Sequence, residues 1–222
     1  MLVSNDDGVG APGIDALVQA LAAEPAVDVT VVAPSQNQSG SGGKTTPGPL
    51  TASPATTASG HAATAVDGFP ADAVLYGLDH VMTSKPDLVV SGINAGQNTG
   101  PLVDISGTVG AARAAAQRGI PALAVSAQLG NPIDFAAAVT AVRQWLHDHR
   151  PSLRTVVVDN LNTPTCTAGH VRGVAETTVE TTATTDAALA PSDCTSTAPP
   201  PAGDVDALHV GFATLSHLTP SS

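Results

Sequence analysis

Short apolar runs rich in β-branched residues alternate along most of this chain with stretches of helical character, and that alternation constrains the fold more than any single motif. Residues 2–4, 27–33, 87–92, 121–126 and 155–158 read as strands. Between them, residues 13–23, 70–82, 106–119 and 133–149 read as helices, the first opened by Pro12 and the third closed by Gly119. Residues 49–68 read as a hairpin or excursion, and a polar, glycine-rich loop spans 35–48. This order predicts an α/β chain with a doubly wound, mostly parallel sheet, whose site lies beyond the carboxyl ends of the strands. From about Leu161 the pattern gives way to a tract rich in Thr, Ala and Pro, with a further strand expected over 207–215. Residues 1–160 are therefore expected to form the main domain and residues 161–222 a small C-terminal extension.

Composition agrees with such a sheet. Of the 222 residues 42% are hydrophobic but only 2% aromatic, so the core must be built from Val, Leu, Ile and Ala, which closely packed helices on a sheet bury well. Eight Lys and Arg against 19 Asp and Glu give a formal charge of −11, which repels a polyphosphate backbone and excludes a nucleic-acid polymer as the expected partner. No apolar run approaches the roughly 20 residues of a spanning helix, so no membrane partner is expected. The two cysteines, Cys166 and Cys194, form no Cys-x-x-Cys pair. They read either as free thiols or as one disulfide, and a disulfide requires an oxidising compartment.

Two glycine motifs invite nucleotide readings that their surroundings oppose. Gly8, Gly10 and Gly13 spell G-x-G-x-x-G, yet Asp6 and Asp7 precede the first glycine, Pro12 removes an N–H from the anion-binding turn, and the second strand ends without a carboxylate for a ribose. Gly43-Lys44-Thr45 resembles a P-loop ending, but the position of its first glycine is Gln38 and no helix follows. What remains is Asn5-Asp6-Asp7-Gly8 itself. Adjacent carboxylates at a strand end are costly unless they are solvated in a turn or neutralised by a divalent cation that takes both as hard ligands. Two further loops, around Gln36–Gly40 and Ser91–Asn98, offer neutral oxygens at neighbouring strand ends. Ser106-Gly107-Thr108 at a helix start supplies either an ordinary N-cap or an anion site. Carboxylates for a metal and amides for an anion together point to metal-assisted phosphate chemistry.

At these residues the sequence resembles the SurE family of 5′/3′-nucleotidases. Ser4-Asn5-Asp6-Asp7-Gly8-Val9 with Ala11-Pro12-Gly13-Ile14 is similar to the opening motif of the family, and Asn37-Gln38-Ser39-Gly40 to its second. Ser91-Gly92-Ile93-Asn94-Ala95-Gly96 with Asn98, then Ser106-Gly107-Thr108-Val109, follow as the third and fourth, and the likeness covers about residues 1–160. It implies a Rossmann-like domain and one divalent metal ion per subunit, Mn²⁺ or Mg²⁺, on Asp6, Asp7, Ser39 and Asn94, with Asp6, Asp7 and Asn94 in catalytic roles. Phosphate or substrate would be held by Asn5, Gly40, Asn98, Ser106, Gly107 and Thr108. The implied reaction is hydrolysis of nucleoside monophosphates to nucleoside and phosphate, in a homodimer or homotetramer. A broad-specificity phosphomonoesterase and a nucleotide-binding module that has lost turnover are the alternatives. The family resemblance implies a cytoplasmic protein; a missing leader together with a Cys166–Cys194 bond would instead imply secretion. The chain departs from the family pattern at Phe69, at Ile105 and in its short tail, where His217 stands near the end.

Overall fold

A computed structural model describes residues 1–149 and 155–221. Its strands are β1 (Leu2–Ser4), β2 (Thr30–Pro34), β3 (Thr51–Thr56), β4 (Ala62–Asp67), β5 (Val89–Ala95), β6 (Ala122–Ala127), β7 (Val158–Thr163), β8 (Val174–Thr177) and β9 (Ala213–Leu218). The helices are α1 (Pro12–Ala22), α2 (Pro70–Tyr76), α3 (Gly107–Gln117), α4 (Phe135–His149), α5 (Thr185–Leu189) and α6 (Asp204–His209). All strands join one nine-stranded sheet in the order β3-β4-β2-β1-β5-β6-β7-β9-β8. From β4 through β7 every neighbouring pair is parallel, while β3–β4 and β7–β9 are antiparallel. The chain leaves β1 towards β2 and returns on its other side as β5, so the sheet reverses direction between β1 and β5, where α/β sheets place their sites. The doubly wound α/β expectation holds.

Strand alternation sorts the small apolar side chains onto two faces. Val3, Val31, Val90, Leu123 and Val125 pack with Ile14, Leu17 and Trp145 of α1 and α4. Leu2, Val32, Val89, Ala122 and Ala124 face the opposite way and pack with Val74 of α2 and with Val109, Ala112 and Ala115 of α3. Alanine-rich α3 can lie close to the sheet because it presents little beyond methyl groups, which is how a chain so poor in rings fills its core.

The expected hairpin at 49–68 is β3 and β4, and its tip is tied to α1. Asp15 accepts from Ser59 N at 2.8 Å, Ser59 Oγ at 2.6 Å and Gln19 Nε2 at 2.9 Å, and also from Thr57 Oγ1. Burial alone would raise the Asp15 carboxyl, but the bonds from Ser59, Thr57 and Gln19 reverse this and hold it below the usual carboxylate range. A lowered native pKa means a contribution present above the unfolded value of about 3.9 and lost as pH falls through the folded one. Asp15→Asn is expected to cost about 1–3 kcal/mol at neutral pH. Denaturant midpoints of wild type and variant should converge as pH falls below about 4; a gap that stays constant down to about pH 2 would show that the carboxylate charge is not what holds the hairpin tip.

Three expected elements differ. The helix expected over 70–82 ends as α-helix at Tyr76 and continues as a wider π-helical turn over Gly77–Val81, closed by Met82 N donating to Gly77 O at 2.8 Å. The strand expected over 155–158 is β7, starting where that range ends. Its residues Asn160, Asn162 and Thr163 are polar yet fully buried, so apolarity was a poor guide to it. The strand expected over 207–215 is instead α6, a turn at Gly211, and then β9 from Ala213, because Ala207 N donates to Gly203 O and starts a helix. The boundary expected at residue 160 falls inside β7, and β8 and β9 extend the same sheet.

Candidate active site

The motifs meet at the carboxyl ends of β1, β2 and β5 and at the start of α3. Asp6 and Asp7 follow β1 directly. Asp6 is 2% exposed, accepts from Thr108 Oγ1 at 2.6 Å, and receives Gln38 N on its main-chain oxygen at 2.7 Å. Asp7 is half-buried and accepts from Ala95 N at 3.0 Å and from Asn37 Nδ2 at 3.1 Å. One carboxylate thus faces α3 and the other faces the end of β5. Burial pushes the Asp6 carboxyl up to about 6, with the neighbouring charge of Asp7 adding to the rise and the Thr108 bond opposing it. Burial also raises Asp7, against the bonds from Ala95 and Asn37. Two carboxylates held close in poorly solvated surroundings favour the arrival of positive charge.

Each remaining expected residue has a definite place. Asn5 is fully buried and donates through Nδ2 to Gly8 O at 2.9 Å, while its Oδ1 has no partner. Ser39 and Gly40 are exposed on the loop after β2; Ser39 N donates to Asn37 Oδ1 at 2.9 Å, so Ser39 reaches Asp7 only through Asn37. Asn94, half-buried near the end of β5, donates to Gly96 O at 2.5 Å. Asn98 lies deeper, its Nδ2 donating to Ser126 Oγ at 2.9 Å and its N to Asn162 Oδ1 at 2.7 Å. Ser126 stands opposite Asn94 in the β5–β6 register, which keeps Asn98 beside the site. Ser106 caps α3 by accepting from Val109 N at 3.1 Å. With the Thr108 hydroxyl and Val109 N so engaged, the donors left for an anion are the Ser106 O–H and the N–H groups of Gly107 and Thr108 at the start of α3. Gly107 is required here, because a Cβ would lie 2.8 Å from both Asp6 Cβ and Ser41 Oγ. Ser41 Oγ is itself buried without a partner.

Several supporting residues escape sequence reasoning. Asn160 Nδ2 donates to Asn98 O at 2.8 Å, and the alternation Asn160-x-Asn162 in β7 is the signal that could have exposed this role. Gln97 Nε2 donates to Ala188 O at 2.8 Å and Gln128 Nε2 to Ala190 O at 2.9 Å, tying the α5 segment to the ends of β5 and β6. Asp204, fully buried at the start of α6, accepts from Gly100 N at 2.9 Å and so holds the loop between β5 and α3. No local pattern marks Asp204. His217 pairs with Asp159 at 2.7 Å near the amino end of β7, away from the aspartate pair.

Cys166 and Cys194 form a disulfide with Cα atoms 5.7 Å apart. Among the described residues no three His, Cys, Asp or Glu side chains cluster as a metal site, and no helix is long and apolar enough to cross a membrane. Any cation here would therefore rest on two carboxylates supplemented by neutral oxygens. A Cβ on Gly13 would lie 1.9 Å from Ile93 O, so that glycine serves the packing of α1 on β5.

The family model described as survival protein SurE matches residues 1–186. Proteins named 5′/3′-nucleotidase SurE from Salmonella typhimurium and Salmonella typhi are 44% identical over 176 residues, which is 78% of this chain and 67% of theirs. The crystal structure of the SurE protein from Aquifex aeolicus is similar with a TM-score of 0.79 and 27% identity, covering 99% of this chain and 93% of that one. The motif-bearing strand ends, the matched span and the shared architecture lead to one conclusion: the chain belongs to the SurE family.

Proposed function

We propose that this chain is a metal-dependent 5′/3′-nucleotidase that hydrolyses nucleoside monophosphates to nucleoside and phosphate. The observation that carries the reading is the meeting of Asp6, buried and paired to Thr108, with the start of α3, so that a cation-seeking carboxylate and anion-seeking donors stand side by side. The donor set Asp6, Asp7, Ser39 and Asn94 is all oxygen, which suits Mn²⁺ or Mg²⁺. The unpartnered buried oxygens of Asn5 and Ser41 beside it fit a site built for a bound group. When bound, such an ion supplies Lewis acidity to a phosphoryl oxygen.

The residues of the chain do the rest. The Ser106 hydroxyl and the N–H groups of Gly107 and Thr108 hold the phosphoryl oxygens, and Asn98, fixed by Asn160, Asn162 and Ser126 beyond the end of β5, joins them. Asp6 or Asp7 orients the attacking water and accepts its proton. A P–O bond forms to that water in line with the ester bond that breaks, and the leaving nucleoside oxygen takes up a proton. Phosphate and nucleoside are released. With Mn²⁺ present, phosphate release should show higher kcat/KM on 5′- and 3′-nucleoside monophosphates than on glycerol phosphate. Equal values would support the broad phosphomonoesterase instead, and tight AMP binding without release would support the binding module.

Assembly as a homodimer or homotetramer is part of this proposal. Its support is β8, which ends the strand order and leaves Val174 47% exposed at an edge able to pair with another chain. The disulfide favours the oxidising compartment over the cytoplasm, since thiols in a reducing compartment stay unpaired.

A further inference from the structure

Beside Asp7, on the side away from α3, lies a cavity of about 470 Å³, within the size range of small-molecule pockets. Its walls are the glycine-rich turn from Gly8 to Gly13, the loop over Ser35, Gln36 and Asn37, Ala95 at the end of β5, and the ring of Phe135 at the start of α4. Among these lining residues Phe135 is the only aromatic one, in a chain with three Phe, one Trp and one Tyr. The ring is positioned by close contact with the turn, its Cε1 lying 3.1 Å from where a Cβ on Gly13 would be. It is half-buried, with surface left to meet a ligand. Gln36 and Asn37 add amide groups at the rim, both exposed. A phosphoryl group between Asp6, Asp7 and α3 would have this cavity as its neighbour on the Asp7 side.

We propose that this cavity receives the leaving group of the phosphomonoester, and that Phe135 is a specificity-determining residue that selects a planar heterocyclic base over an aliphatic alcohol. The inference rests on the nucleotidase reading and deepens it. A planar base can lie against the Phe135 ring while its polar edge meets the Gln36 and Asn37 amides, whereas a small aliphatic alcohol gains neither contact. The sequence G-x-G-x-x-G thereby acquires a role without binding a dinucleotide. Its side-chain-free positions form a wall that a flat ring can approach.

Gly10, which lines the cavity, supplies a clean test, because a Cβ there would meet nothing within 4 Å. Gly10→Leu is expected to fill the cavity and lower kcat/KM for AMP relative to glycerol phosphate by roughly tenfold or more, the scale of a lost base–aromatic stack. Phe135→Leu is expected to lower the same ratio with most of the loss in KM. Calorimetric affinities for AMP and for inorganic phosphate provide a readout independent of turnover. A ratio of AMP to phosphate affinity that falls in Gly10→Leu supports the pocket even if the chain releases no phosphate, in which case only the nucleotidase reading fails. Ratios that stay at the wild-type value in both variants, by kinetics or by binding, overturn the pocket while leaving nucleotidase activity standing.

Discussion

Asp6→Ala is expected to reduce phosphate release from AMP by roughly 10³-fold or more, and Asp7→Ala to have an effect of the same order, because each removes half of the anionic charge available to a divalent ion worth several kcal/mol of transition-state stabilisation. The two losses should differ in what accompanies them. Removing the Asp6 carboxylate also leaves the fully buried Thr108 hydroxyl without its acceptor at the start of α3, so phosphate affinity should fall with kcat. Removing the Asp7 carboxylate frees Ala95 N and Asn37 at the other wall and leaves α3 untouched. Both variants should remain folded, since neither carboxylate belongs to the apolar clusters on the two faces of the sheet. Steady-state kinetics with Mn²⁺ read the effect, and a variant that keeps more than about a tenth of wild-type kcat would contradict its place in the site.

The second large effect concerns stability. Removing both cysteines as Cys166→Ser with Cys194→Ser is expected to cost about 3.5 kcal/mol, the chain-entropy value for a bridge between residues 28 apart. In a chain of this size that corresponds to a fall in Tm of roughly 7–14 °C. The bridge closes over β8 and α5, and the carbonyls of Ala188 in α5 and of Ala190 just after it receive Gln97 and Gln128 from beyond the ends of β5 and β6. Loss of the bridge therefore loosens a segment that borders the site as well as the unfolded chain. Calorimetric melting of the oxidised protein, the reduced protein and the double variant measures it. A reduced protein as stable as the oxidised one would show that the bridge constrains nothing.

Local chemistry was legible in the sequence wherever one segment carried the whole signal. Leu2-Val3 as a buried strand, Pro12 opening α1, and Ser106 capping α3 each depend on neighbours within a few residues, and each stands as expected. Asp6 and Asp7 were legible for the same reason, being adjacent. Legibility failed where burial was achieved by polar pairing. Asn160 and Asn162 look like loop residues until Asn98 is seen to take their hydrogen bonds across the sheet. Asp204 looks like a surface acid until it meets Gly100 N, a hundred residues earlier in the chain. The extension resisted reading most, because its short helices α5 and α6 have no amphipathic period of their own; α5 is fixed by contacts with the turn at Gly100–Leu102 and α6 by contacts with β8 and β9. Ser39 shows a different limit. Its motif is clear, yet its link to Asp7 runs through Asn37, a connection that spacing alone does not reveal.

If oxygen donors at the ends of β1, β2 and β5 support hydrolysis of a nucleoside monophosphate, turnover must depend on a divalent ion. Release of inorganic phosphate from AMP, followed continuously while EDTA and then excess Mn²⁺ are added to the same sample, tests it most directly. Release should stop with the chelator and resume with the metal. Release that continues unchanged through chelation, or no release under any of the three conditions, would contradict it.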